Sequence, residues 1–213
     1  MNPSSTKPRH TKAKSTTKAK TPTNLNQLRL QVDHEQWRPR YEFGDSLVLF
    51  DGIEAELLRL IEQATTVVGC VAWLTSTPLL AALTTKQLSL IVQKDGMFYP
   101  NRKNKKNLAI ANSLKEKYLA LPTTFSDAHG NLIDPIRIYG DLPKKTQNGS
   151  IRMHHKFLVF DSETVVTGSF NLTATASNSL ENVIIIKNKQ VALAFEAEHR
   201  VLLAGSKPLH WFH

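Results

Sequence analysis

His154 and Lys156 stand two residues apart in Met153-His154-His155-Lys156-Phe157-Leu158-Val159-Phe160-Asp161. If this apolar stretch is a strand, alternate side chains share a face, so His154 and Lys156 point one way and His155 the other. An imidazole beside an ammonium is a compact nucleophile-plus-cation unit. It suits attack on an anionic phosphoester, the histidine supplying the nucleophile and the lysine holding the charged oxygens. Downstream lies Gly168-Ser169-Phe170-Asn171, where a glycine permits a tight turn at a strand end and Ser169 and Asn171 offer a hydroxyl and an amide to the same phosphate. Glu181 then opens Glu181-Asn182-Val183, placing a carboxylate where it can fix a histidine's tautomer.

These side chains need a frame to bring them together, and the pattern supplies one from about Phe43 onward. A short strand over 46–50 precedes a helix that Asp51 would cap, with Ile53, Leu57, Leu60, Ile61 and Ala64 on one face. Residues 67–74 form a continuous apolar run, as in a strand buried on both faces. Further helices are expected over 77–83, 105–120 and 190–203, the last with Val191, Ala194, Phe195 and Leu202 inward. Further strands are expected over 87–93, 136–139, 153–160, 164–167 and 183–187. Helices alternating with buried strands predict an α/β domain with a mixed sheet and helices on both of its faces. Its span is 43–205, after a basic tail (1–24) expected to be disordered and a linker or extension (25–42), and before a short C-terminal tail (206–213).

The chain has 213 residues and a formal net charge of +9. The excess is local. Residues 1–24 carry six Lys or Arg and no acid, and 94–117 carry seven Lys or Arg against Asp95 and Glu116. Both segments suit a polyanion, because Lys and Arg contacts to phosphate supply most sequence-independent binding to nucleic acid; solvated surfaces are the plainer reading. Arg102, Lys103, Lys105 and Lys106, beside Phe98 and Tyr99, resemble a groove for a single strand, where bases stack and cations follow the backbone. Arg152 reads either as a phosphate contact or as a strand flank. The longest apolar runs fall far short of the roughly 18 residues of a membrane span, so no integral membrane association is expected. A lone cysteine, Cys70, excludes an internal disulfide framework and a Cys-based zinc cluster, and fits a reducing compartment. The cytoplasm is the expected location, with nuclear and organellar destinations open. Cys70 and Trp73 read as core residues, His155 as a packing or hydrogen-bonded histidine rather than a second catalyst, and His210 with His213 as part of a terminal tail rather than a metal pair.

The pattern HxKx4D at His154, Lys156 and Asp161, then GSxN at Gly168–Asn171 and Glu181-Asn182, resembles the phospholipase D superfamily. It is most similar to the single-motif branch of bacterial endonucleases and the mitochondrial nuclease or cardiolipin hydrolase type. That resemblance implies that His154 forms a covalent phosphohistidine while Lys156, Ser169 and Asn171 bind the non-bridging oxygens. Glu181 would orient a histidine, and Asp161 and Gly168 would have supporting roles. It implies no metal and no cofactor. It also implies a two-fold homodimer with the active site at its interface, since the family needs two motifs and this chain carries one. The expected function is a metal-independent phosphodiesterase, foremost a nuclease on DNA or RNA. The alternatives are a lipid phosphodiesterase reaching anionic lipid through its basic tail, and a catalytically silent nucleic-acid-binding module.

Overall fold

The computed structural model describes residues 40–99, 103–142 and 150–209. The basic tail, most of the expected linker, Arg102 and the last four residues lie outside that set. In chain order the elements are β1 (Arg40–Phe43), β2 (Ser46–Leu49), α1 (Ile53–Gln63), β3 (Thr66–Val71), α2 (Thr77–Leu83) and β4 (Gln87–Gln93). There follow α3 (Lys105–Leu119), β5 (Phe125–Ser126), β6 (Leu132–Ile133), β7 (Ile136–Tyr139), β8 (Lys156–Phe160) and β9 (Thr164–Gly168). The last are β10 (Val183–Lys187), α4 (Lys189–Gly205) and β11 (Lys207–Pro208).

Nine strands form one mixed sheet in the order β1-β2-β10-β9-β8-β3-β4-β7-β11, while β5 and β6 pair apart from it. β3, β4 and β7 run parallel toward the β11 edge, and the remaining pairs are antiparallel. The central strands are apolar at successive positions because both faces are covered. Val67, Val71, Leu88, Leu90, Leu158 and Phe160 pack in one cluster with Leu57, Leu60 and Ile61 of α1 and Leu79, Leu80 and Leu83 of α2. Cys70, Ile91, Phe157, Val159 and Val165 pack on the other side with Ala192, Val191 and Phe195 of α4. Helices therefore cover both faces, as the alternation predicted, and the alternating side chains of β8 divide cleanly between the two clusters.

Several local expectations change. Gly52, at φ 64°, caps α1 without a side-chain bond, and Asp51 Oδ1 accepts the Gly52 N–H instead at 2.6 Å. A left-handed residue is what glycine supplies cheaply, so the cap falls one position later than the acid pattern suggested. In α4 the buried positions are Ala192 and His199, while Ala194 faces solvent. Ladder pairing of β8 begins at Lys156 rather than at 153. The sheet also takes in Arg40–Phe43 and Lys207–Pro208, on either side of the 43–205 span.

The β8–β9 hairpin turns on Asp161 and Ser162, with φ of 52° and 58°. They belong to a three-residue loop, Asp161–Glu163, between the paired Phe160 and Thr164, and consecutive left-handed residues are what Asn and Gly adopt most cheaply. Here hydrogen bonds offset the strain. The Thr65 N–H donates to Asp161 Oδ1 at 3.0 Å and the Thr66 N–H at 2.8 Å, while Ser162 Oγ donates to Glu196 Oε1 at 2.6 Å. Asp161 thereby ties the turn to the entry of β3. It lies at the far end of β8 from His154.

Candidate active site

Strand register assembles the site at one end of the sheet. Val71 of β3 pairs with Lys156 of β8, and the next antiparallel step, the Ala72 N–H to the His155 carbonyl at 2.9 Å, leaves Trp73 opposite His154. On the other side Phe157 pairs with Thr167, so Lys156 lies beside Gly168. Gly168 in turn pairs with Val183 of β10, which sets Ser169 against Asn182 and Glu181. Residues far apart in sequence converge because these pairings share one edge.

His154 is exposed and Lys156 half-buried, with Lys156 Nζ 3.2 Å from His154 Nδ1 and donating to the His154 carbonyl at 3.0 Å. Burial pushes the His154 pKa below its ordinary value, and the positive charges of Lys156 and Arg152 push it further the same way. A neutral imidazole at neutral pH is the form that can attack phosphorus. Burial likewise lowers the Lys156 pKa, and the Glu181 carboxylate opposes that shift. Ser169 Oγ donates to Glu181, and the Asn182 N–H donates to Ser169 Oγ at 3.0 Å. Asn171 is brought in by the return of the chain along β3, where the Leu172 N–H donates to the Trp73 carbonyl at 3.1 Å. Its Oδ1 is buried without a hydrogen-bond partner, so the side-chain amide retains hydrogen-bonding capacity.

Gly168 serves close approach rather than a turn. A Cβ there would lie 2.1 Å from the Asn182 carbonyl oxygen and 2.8 Å from Val183 Cα, so only glycine lets β9 meet β10 at this point. Arg152 is exposed and lies near enough to His154 to lower its pKa. Lys103, Lys105 and Lys106 are exposed at the start of α3. Phe98 is not available to stack on a base: it is 2% exposed, with its ring 6.0 Å from that of Tyr118. Core demand for a large apolar side chain under α3 outweighs the polar company it keeps in sequence. Cys70 is fully buried and its thiol pKa is pushed up to about 12, as a packing cysteine requires. His155 faces α4, with Nε2 3.2 Å from Glu198 Oε1.

Two contributors escaped the sequence reading. Trp73 is half-buried at the mouth of the site, not in the core: its ring meets that of His154 edge-on at 5.5 Å, and Lys156 Nζ lies 5.9 Å from its centroid. Gln93, 4% exposed at the end of β4, accepts the Met153 N–H at 2.6 Å and donates to the carbonyls of Lys94 and Asp141 at 2.8 Å each. It therefore anchors the backbone immediately before His154, in the segment where β8 pairing has not begun. The register that places Trp73 opposite His154 was the missing signal for the first; for the second, a buried glutamine has no local pattern at all. A cavity of about 230 Å³ opens beside Glu181, walled by Phe50, Phe170 and the start of α1. Among the described residues, no three His, Cys, Asp or Glu side chains group as metal ligands, and no helix is long and apolar enough to cross a membrane.

Comparison with known proteins fits this geometry. Residues 125–202 match the family described as "Cardiolipin synthase, PLD-like domain", and every motif residue lies inside that segment. An uncharacterized protein of Acanthamoeba polyphaga mimivirus is 30% identical over 215 residues, covering 88% of this chain and 74% of that one. Mitochondrial cardiolipin hydrolase of Danio rerio is 34% identical over 80 residues, which is 37% of this chain; the match spans about a third of that relative, 35% of its length. Among solved structures, NucT from Helicobacter pylori superposes with a TM-score of 0.53 at 16% identity, covering 76% of this chain and 96% of that one, a likeness of fold. With its motif residues all inside the matched segment, and His154, Lys156, Ser169 and Glu181 at one end of the sheet, the chain belongs to the phospholipase D superfamily.

Proposed function

We propose that the protein is a metal-independent nuclease that cleaves a phosphodiester of DNA or RNA through a covalent phosphohistidine on His154. The observation that carries this reading is the His154–Lys156 pair, a half-buried ammonium 3.2 Å from an exposed imidazole whose pKa is held below its ordinary value. The nucleophile is present as free base at neutral pH, and the cation beside it meets the charge of the phosphoryl oxygens. His154 forms the new N–P bond as the bond from phosphorus to the leaving oxygen breaks. Lys156, Ser169 and the Asn171 amide bind the non-bridging oxygens, and Glu181 holds Ser169 in place and orients a histidine.

The leaving oxygen needs a proton, and we assign that role to His154 of the partner subunit in a two-fold dimer. The same histidine then takes a proton from the water that hydrolyses the phosphohistidine, so protons balance over the cycle. Two exposed apolar side chains support this arrangement: Leu180, fully exposed next to Glu181, and Ile151, 61% exposed next to Arg152. Large apolar side chains at the rim of a polar site suit burial against a second copy. The exposed Lys103, Lys105 and Lys106, together with Arg152, suit contact with a polyanionic strand.

A second reading, cleavage of an anionic phospholipid, is favoured by the curated relatives named mitochondrial cardiolipin hydrolase. One experiment separates the readings. Labelled single- and double-stranded DNA and RNA, and cardiolipin vesicles, are incubated in EDTA with the wild type and with His154→Ala. Cleavage of a nucleic acid that vanishes in the variant supports the nuclease. Lipid turnover alone supports the second reading, and tight oligonucleotide binding without any cleavage supports a silent binding module.

A further inference from the structure

Trp73 has three polar or charged engagements at once. Its ring stands edge-on to His154 with an interplanar angle of 88° and a centroid separation of 5.5 Å. Lys156 Nζ lies over the same ring at 5.9 Å, within the range at which an aromatic face attracts an ammonium. Its indole N–H donates to Asp95 Oδ2 at 3.1 Å. Asp95 is itself held, because its Oδ1 accepts the Met97 N–H at 2.9 Å and caps the short turn Gly96–Phe98, whose Phe98 is locked in the core. A tryptophan that served packing alone would not need to stand half-exposed against both reacting groups with its one donor committed to a capped carboxylate.

We propose that Trp73 is the positioning residue of the catalytic pair, with Asp95 fixing the plane of the indole and the indole fixing His154 and Lys156. The inference rests on the phosphodiesterase reading only for its kinetic consequence; the geometry of the four side chains stands without it. Lys156 has several rotatable bonds and His154 lies ahead of the first ladder pair of β8, so neither is held by the sheet alone. The indole is the rigid surface against which both are set. It also shields one side of the imidazole from water, in keeping with burial as the leading cause of that group's lowered pKa.

The test uses the full chain in four forms: Trp73→Leu, Trp73→Phe, Asp95→Ala and the Trp73→Phe/Asp95→Ala pair. A misplacement of about 1 Å at a reacting group costs about 100-fold, so Trp73→Leu should lower kcat by about that factor with KM nearly unchanged. Trp73→Phe keeps a ring but loses the N–H, and should fall about 10-fold; Asp95→Ala should match it, since Asp95 reaches the pair only through the indole. The double variant should then be no slower than either single, because both remove one link. An unchanged kcat in Trp73→Leu, a loss confined to KM, or multiplying losses in the double variant would overturn the proposal. The His154 ring titration, followed by NMR, reads the same contact without turnover. In Trp73→Leu its midpoint should rise toward the ordinary imidazole value, and an unmoved midpoint counts against the proposal. If the wild type cleaves no phosphodiester, the phosphodiesterase reading fails on its own and this titration alone decides the role of Trp73.

Discussion

At the amino end of β8, His154 is exposed and Lys156 half-buried, the Lys156 ammonium lies beside the His154 ring, and the Glu181 carboxylate, which accepts from Ser169, acts on Lys156 through its charge. At its carboxyl end, five residues beyond Lys156, Asp161 belongs to the same motif yet spends its carboxylate on the backbone N–H groups of Thr65 and Thr66. One end keeps hydrogen-bonding capacity in hand, including a buried Asn171 oxygen with no partner; the other uses it up on the chain itself. A short sequence motif can therefore combine chemistry and architecture. The strand between separates them by its length while its pairing with β3 keeps them in one unit.

The contrast is sharpest in substitutions at its two ends. Lys156→Met should lower kcat by about 10²- to 10³-fold, the usual cost of one charge-stabilising group, while the denaturation midpoint stays close to wild type. If Lys156→Met unfolds the chain instead, the two ends are not distinct.

Histidines divide in the same way, and pH separates them. His199, 4% exposed against Ser89, has its pKa pushed down to about 4, chiefly by burial. Its folded pKa lies below its unfolded one, so the unfolded chain binds the proton more readily. The stability is fully present above the unfolded value, about 6.5, and is lost as pH falls toward 4. The loss should reach about 2 kcal/mol between pH 7 and pH 4.5, read from urea unfolding at the two values. His154 should report in activity instead: its lowered pKa puts the acid limb of kcat/KM below pH 6.5, because protonation removes the nucleophile. An acid limb above 6.5 would mean that another group governs it.

Behind the site, Gln93→Leu leaves the Met153 N–H and two carbonyls without their partner, and should cost about 2 kcal/mol in urea unfolding, with kcat falling as the backbone ahead of His154 loosens. Smallest is Asp161→Ala. It should cost about 1–2 kcal/mol of stability and leave kcat within a few-fold, measured where the variant remains folded. Turnover abolished in a folded Asp161→Ala would break the comparison outright.

Much of the fold was legible because burial imposes periodicity. The five positions expected on the inward face of the first helix, Ile53, Leu57, Leu60, Ile61 and the C-capping Ala64, are all buried, and the strand expected at Gln87–Gln93 is observed with those bounds. The cap of α1 lies one position later than expected, and of the four inward positions expected in α4, Val191, Phe195 and Leu202 pack against the core while Ala194 faces solvent; a left-handed glycine and the fine rotation of a helix leave no strong local mark. Strands β1 and β11 were missed because a four-residue and a two-residue strand carry too few residues for a pattern.

The sequence by itself determined which chemistry is on offer. The identity and spacing of His154, Lys156, Gly168, Ser169, Asn171 and Glu181 mark the superfamily, and strand alternation alone put His154 and Lys156 on one side and His155 on the other. Only the tertiary structure decided what stands around them. Trp73 is 81 residues from His154 in the chain and Gln93 is 60 from Met153, and nothing local relates either pair. The antiparallel register of β3 on β8 sets the first contact and the parallel stacking of β4 on β3 sets the second. Register is fixed by which apolar side chains fit between the two helical layers, a property of the packed whole.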